Sequence, residues 1–193
     1  MKKEIILMSA IIVATFSACA QEKHDHGQKE TSVAKPSAEQ LSAKSDSKSS
    51  NSVKEVIGFY LDLKNALVKD NSIEAAAAGV ALEDAFKKFD KKNLTEAQIK
   101  LYNDVEDDAR EHAEHIGANG GDIEHQREHF ISLSKDIYDL VKELGSSQVL
   151  YNTFCPMANN GKGAMWLSET KTIKNPYFGK KMMTCGSVKE EVK

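Results

Sequence analysis

With 193 residues, 26 basic against 29 acidic side chains and a formal net charge of −3, the chain has no basic footprint for nucleic acid. No internal period of the kind that builds solenoids or propellers is visible. Its cysteines and methionines are unevenly placed: Met157, Met165, Met182 and Met183, four of six methionines, lie near the C-terminus with Cys155 and Cys185.

Lys2 and Lys3 precede an apolar run from Ile5 to Phe16, which gives way at Cys19 to the polar Gln21-Glu22-Lys23. The run is shorter than the ~20 apolar residues of a transmembrane helix and reads as an export signal. Phe16-Ser17-Ala18-Cys19 resembles the lipobox of bacterial lipoproteins, with Phe16 where Leu is usual. Residues 1–19 are therefore expected to be a signal peptide, with Cys19 lipidated and the protein anchored to a membrane, facing the periplasm. Residues 20–52 are rich in Ser, Lys, Glu, Gln and Ala, with Pro36 and few large apolar side chains. Such a segment cannot offset its ordering entropy by burial, and a disordered tether is expected there. His24 and His26 within it are expected to be solvated, or at most to hold a metal weakly.

From Ser52 the pattern becomes helical. Ser52 and Glu55 have capping-box spacing, followed by Val56, Ile57, Tyr60, Leu61, Leu63, Lys64, Leu67 and Val68. A second helix is predicted from Asn71-Ser72 to about Phe89, with Ile73, Ala76, Val80, Leu82 and Phe86 inward. Thr95 and Gln98 open a third, whose stripe of Ile99, Tyr102, Val105, Ala109, Ala113 and Ile116 ends at Gly117, Gly120 and Gly121. Asp122 caps a fourth, which carries Ile123, Phe130, Leu133, Ile137, Tyr138, Leu140, Val141 and Leu144 inward and stops at Gly145. Short connections make sequential helices pack side by side in opposite directions, so an all-α, antiparallel four-helix bundle is expected over 53–145. Residues 146–193 belong to the same domain but lose the apolar period. Asn159-Asn160-Gly161 and Asn175-Pro176 are turn formers, and an irregular segment with a short hairpin or helical turn is expected to lie on the bundle. Trp166 and Pro176-Tyr177-Phe178 supply apolar bulk for docking it there.

Two devices can hold that segment. One is a Cys155–Cys185 disulfide, suited to an oxidising compartment and stabilising by roughly 3–4 kcal/mol. The other is a metal clip through Cys155, Met157, Met182 or Met183, and Cys185, because thiolate and thioether donors select Cu(I) and Ag(I). Spacing does not choose between them, although a disulfide has no use for a thioether beside each cysteine. Methionines also fill gaps in irregular cores.

A second constellation lies on the third and fourth helices. His112 and His115 are three apart, His125 and His129 four apart, so each pair shares a helix face. The tight glycine-rich connection makes the end of one helix the neighbour of the start of the next, and all four imidazoles are expected to converge. Imidazole binds Cu, Zn and Ni, and Glu111, Glu114, Glu124 and Glu128 are near enough in sequence to complete or orient such a site. The alternative is a polar helix end. No Gly-x-Ser-x-Gly, phosphate loop, dinucleotide fingerprint or His-Glu-x-x-His occurs, and no enzyme is expected.

The runs Tyr151-Asn152-Thr153-Phe154-Cys155-Pro156-Met157-Ala158, Asn160-Gly161-Lys162-Gly163-Ala164-Met165-Trp166-Leu167-Ser168 and Asn175-Pro176-Tyr177-Phe178-Gly179-Lys180-Lys181-Met182-Met183-Thr184-Cys185-Gly186 carry a resemblance. They are similar to a bacterial exported domain family of unassigned function. That family also occurs fused to periplasmic adaptors of copper/silver-type resistance-nodulation-division efflux systems. The resemblance extends from about Val53 through the C-terminal segment and implies metal at Cys155, Met157, Met182 or Met183, and Cys185. Met165 stands where relatives commonly carry an aromatic. The combined expectation is a soft-metal protein holding Cu(I), with Ag(I) or Zn as alternatives, that buffers the ion or hands it to an efflux adaptor. The rival is a structural or partner-binding bundle with a Cys155–Cys185 disulfide and no metal.

Overall fold

The structure, a computed structural model, describes residues 38–193. The segment expected to be a signal peptide, Cys19 with its expected lipidation, and His24 and His26 lie outside the described residues. Four helices come first: α1 Ala38–Val68, α2 Ser72–Lys87, α3 Glu96–Ala118 and α4 Ile123–Leu144. No helix among the described residues is long and apolar enough to cross a membrane.

Local chemistry sets most of the helix ends. The Asn71 side chain accepts from the N–H of Glu74, Thr95 and Gln98 close a capping box, and Asp122 accepts from the N–H of His125. Each satisfies backbone donors that a helix start leaves unpaired. At the other end of α4, Gly145 takes a φ of 78° and donates to the carbonyl of Val141, a conformation that costs glycine little.

Three helix expectations need correction. α1 begins at Ala38, inside the segment expected to be a tether, and no Gly or Pro interrupts 37–57. Ser52 is accordingly an interior residue, and its hydroxyl accepts from the N–H of Asp90. On α2, Ile73 and Val80 are 67% and 50% exposed; the buried face is Ala75, Ala78, Gly79, Leu82, Ala85 and Phe86. That face is shaped for close approach. Gly117 does not stop α3 but lies within it, and a Cβ on Gly79 would come 2.9 Å from both the Ala113 carbonyl and the Gly117 nitrogen.

Neighbouring helices run antiparallel. Contacts across α3 and α4 join Gln98 to the Glu143 carbonyl, His112 to His129, and Gln126 to the Ile116 carbonyl, so position rises on one helix as it falls on the other. The helical bundle is as expected, but the protein is not purely α. Three strands follow: β1 Leu150–Cys155, β2 Ala164–Ser168 and β3 Ser187–Val192. They form an antiparallel sheet in the order β2-β1-β3, with Cys155 opposite Ala164 and Leu150 opposite Val192. The β1–β2 hairpin turns through Asn159 and Asn160 in the left-handed region, and a short 3₁₀ turn occupies Gly179–Lys181.

The sheet docks on the bundle through aromatics. Trp166 is fully buried and meets Tyr177 edge-on, with centroids 5.9 Å apart, and Tyr177 lies 5.8 Å from Phe130 of α4. Tyr60 of α1 stacks on Phe130 at 5.3 Å; its hydroxyl accepts from the Leu167 N–H and bonds the Ser134 hydroxyl. One phenol thus satisfies polar groups on α4 and β2 inside the core. Lys64, 1% exposed, reaches Glu169 at 2.6 Å.

A polar latch joins the same parts from below. Arg127, 5% exposed, donates to the carbonyls of Pro176 and Leu67 and to Asp70 Oδ1. Asp70 also accepts from the N–H of Lys180. Partial burial works against ionisation of Asp70, but the hydrogen bonds from Arg127 and Lys180 outweigh it and hold the carboxyl below its usual range.

Candidate metal centre

The α3–α4 tip is set by side chains that fix the register of the two helices. Gln126, fully buried, donates from Nε2 to the Ile116 carbonyl at 3.1 Å and to the Ser72 carbonyl at 2.9 Å. Asn119 donates back to the His115 carbonyl at 2.7 Å across the turn. With the register held, the pairs His112 and His115 on α3 and His125 and His129 on α4 face one another.

The four rings converge. His115 and His129 stack with centroids 4.5 Å apart and planes 4° from parallel, and His125 meets His129 edge-on at 4.6 Å. His112 lies across the seam with its Nδ1 3.1 Å from the His129 Nδ1. His115, His125 and His129 each offer a ligand atom, and these atoms all lie within 4.8 Å of one another. A small inward movement of the rings brings three nitrogens to the ~2 Å at which zinc is bound. Side-chain exposures of 46% for His115 and 37% for His125 leave the group open to solvent.

The electrostatics suit a cation. Glu111 lies 3.7 Å from His115 and Glu128 3.6 Å from His125. Burial lowers the pKa of His112, and burial together with the charges of His115, His125 and His112 lowers that of His129. Both effects favour the neutral rings that a metal requires. Of the other acids expected nearby, Glu124 is turned to Arg127 and Lys181, and Glu114 is exposed.

The sulfur constellation behaves differently. Cys155 and Cys185 meet, with Cα atoms 5.8 Å apart, and are joined by a disulfide. Bonded sulfurs are not thiolates, so in this form Cys155 and Cys185 clamp the end of β1 to the segment before β3. Met157 is 56% exposed, in a surface cleft with Glu124, Glu128 and Tyr177; Met182 is 37% exposed after the 3₁₀ turn. Met183 is half-buried and gives its backbone carbonyl to the Asn175 N–H.

Gln126 and Arg127 were not expected to matter. Their signal was a pair of polar residues in the buried phase of α4, between His125 and Phe130. Asn175 was read only as a turn former, yet its side chain accepts from the N–H groups of Tyr177 and Phe178 and donates to the Cys185 carbonyl.

No curated protein and no solved structure matches the chain. A domain of the family described as protein of unknown function (DUF3347) is found at residues 56–149, a span that contains all four histidines and ends before Cys155.

Proposed function

We propose that this protein holds a transition-metal ion on the α3–α4 histidines and buffers it, or hands it on, in the service of a copper/silver-type efflux system. The observation that carries the reading is the convergence of His115, His125 and His129 ligand atoms within 4.8 Å, with carboxylates beside two of the rings. Imidazole donors flanked by carboxylates suit borderline divalent ions, so Cu(II) and Zn(II) are the first to test. Three protein ligands leave a coordination position open, which fits an ion that is passed on rather than locked in. Cu(I) or Ag(I) on Cys155, Met157, Met182 or Met183, and Cys185 requires the disulfide to be reduced first. The efflux partner, the periplasm-facing location and anchorage through Cys19 rest on the N-terminal sequence and on the resemblance of the C-terminal segment. No catalysis is assigned.

Titration calorimetry on protein made without a histidine tag tests the reading. One Zn(II) or Cu(II) per chain is expected, lost in His125→Ala and in His129→Ala; unchanged stoichiometry in both variants refutes it. The disulfide favours a second reading, a clamped bundle that serves only as a structural or partner-binding module, and absence of any titration in the unaltered protein selects it.

A further inference from the structure

The contact between His112 and His129 carries more information than proximity. Their Nδ1 atoms face each other at 3.1 Å. A neutral imidazole has one N–H and one lone pair, so one ring must donate from Nδ1 while the other accepts there. The two tautomers are thereby tied together. If His112 donates, His129 accepts at Nδ1, keeps its proton on Nε2 and has no lone pair left for an ion. If His129 donates, its Nε2 lone pair is free. His112 then carries its own proton on Nε2.

The nitrogen of His129 that faces His112 is engaged in that contact, so Nε2 is the atom left to offer an ion beside His115 and His125. His112 is outside the group of three whose ligand atoms lie within 4.8 Å of one another. Metal-bound histidines ordinarily give their second N–H to a carboxylate, carbonyl or water, which fixes the tautomer and aims the ring. Resting on the metal reading above, the geometry points to His112 as the positioning residue of the site. It accepts the Nδ1–H of His129, holds that ring in the Nε2-ligating tautomer, and stays out of the coordination sphere. An ion on Nε2 makes the Nδ1–H more acidic and strengthens the bond to His112, so binding and positioning reinforce each other.

Two measurements on the full-length protein test this. Long-range ¹H–¹⁵N correlation spectra of the metal-free protein at pH 8, above the ordinary histidine range, are expected to show His129 protonated at Nδ1 and His112 at Nε2. Zn(II) titration of His112→Ala should keep one ion per chain with a Kd about 10–100-fold higher. His112→Gln, whose amide oxygen can accept the same proton, should recover part of that loss and hold His129 in the Nδ1–H form. An Nε2–H tautomer at His129, undiminished affinity in His112→Ala, a lost ion in that variant, or Gln no better than Ala would each overturn the role while leaving the site itself in place. Unaltered protein that takes up no Zn(II) overturns the metal reading, and this role with it.

Discussion

Removing the Cys155–Cys185 bridge separates a structural clamp from a ligand pair. The bridge spans 30 residues of sequence, and on the chain-entropy description closing such a loop stabilises the fold by about 3–4 kcal/mol. Cys155 is fully buried at the end of β1, opposite Ala164, and β2 carries Trp166, the only tryptophan, also fully buried. Trp166 fluorescence therefore reports on the sheet, and far-ultraviolet circular dichroism on the helices. Urea unfolding of oxidised and phosphine-reduced protein should show stability lower by about 3–4 kcal/mol after reduction, with helical content retained below the transition. A Cys155→Ala/Cys185→Ala double variant should behave like the reduced protein, and Zn(II) stoichiometry should be the same in all three. Equal stability before and after reduction would refute the clamp. A second ion bound only by the reduced protein, and absent from the double variant, would restore the cysteines as ligands.

Arg127→Met takes the guanidinium from Asp70, which keeps only the Lys180 N–H, and orphans the carbonyls of Leu67 and Pro176; urea unfolding should register a loss of about 3 kcal/mol, and a change under 1 kcal/mol would show that the latch is idle. Gly79→Ala places a methyl 2.9 Å from backbone atoms of α3, which must move away, so a loss of about 1–3 kcal/mol is expected by thermal unfolding. Burial pushes the Asp136 carboxyl up to about 6, the nearby carboxylates of Asp108 and Asp139 add to this, and its Oδ2 has no hydrogen-bond partner. Because the folded-state pKa lies above the unfolded one, Asp136 costs stability that is absent below pH 4 and fully present above pH 6. Asp136→Asn should therefore stabilise by about 1 kcal/mol at pH 7, the value reduced for solvent screening, and by nothing at pH 4; a gain independent of pH would sink the argument.

The helix ends that could be read in advance were those fixed within one turn: Asn71, Thr95 with Gln98, Asp122 and Gly145 each act on neighbours three or four residues away. Ser52 and Glu55 have the same spacing, but the chain before them is already helical, so the motif caps nothing. A short hairpin was within the expectation, but the third strand was not, because its ladder is non-local: Leu150 finds Val192, and nothing near either residue announces the other. The inward face of α2 was misjudged for a related reason. Ala75, Ala78 and Gly79 are buried, Gly79 directly against the backbone of α3, whereas size alone favoured Ile73 and Val80. Convergence of the histidines was legible because a four-residue connection leaves two antiparallel helices no other register. A disulfide and a metal-bound thiolate pair both draw on the same two cysteines brought close together, so sequence spacing carried no information about which one forms.

The placement of the histidines also determines how an ion would register in folding. The α3–α4 tip is joined by a connection that includes Gly120 and Gly121, and Gln126 and Asn119 are its polar fastenings. An ion shared by His115 of α3 and by His125 and His129 of α4 cross-links the two helices at that tip. The disulfide cross-links the chain elsewhere, between β1 and the segment before β3. Binding to the folded chain alone stabilises it by RT ln(1 + [L]/Kd), about 2.7 kcal/mol at a hundredfold excess over Kd. Neither cross-link supplies atoms to the other, so their contributions should add to within about 0.5 kcal/mol. The ion-induced gain in unfolding free energy should then be equal in oxidised and reduced protein. Thiolates in the coordination sphere would make the gain larger after reduction, and the difference between the two measurements is the coupling energy between the sulfur and nitrogen sites.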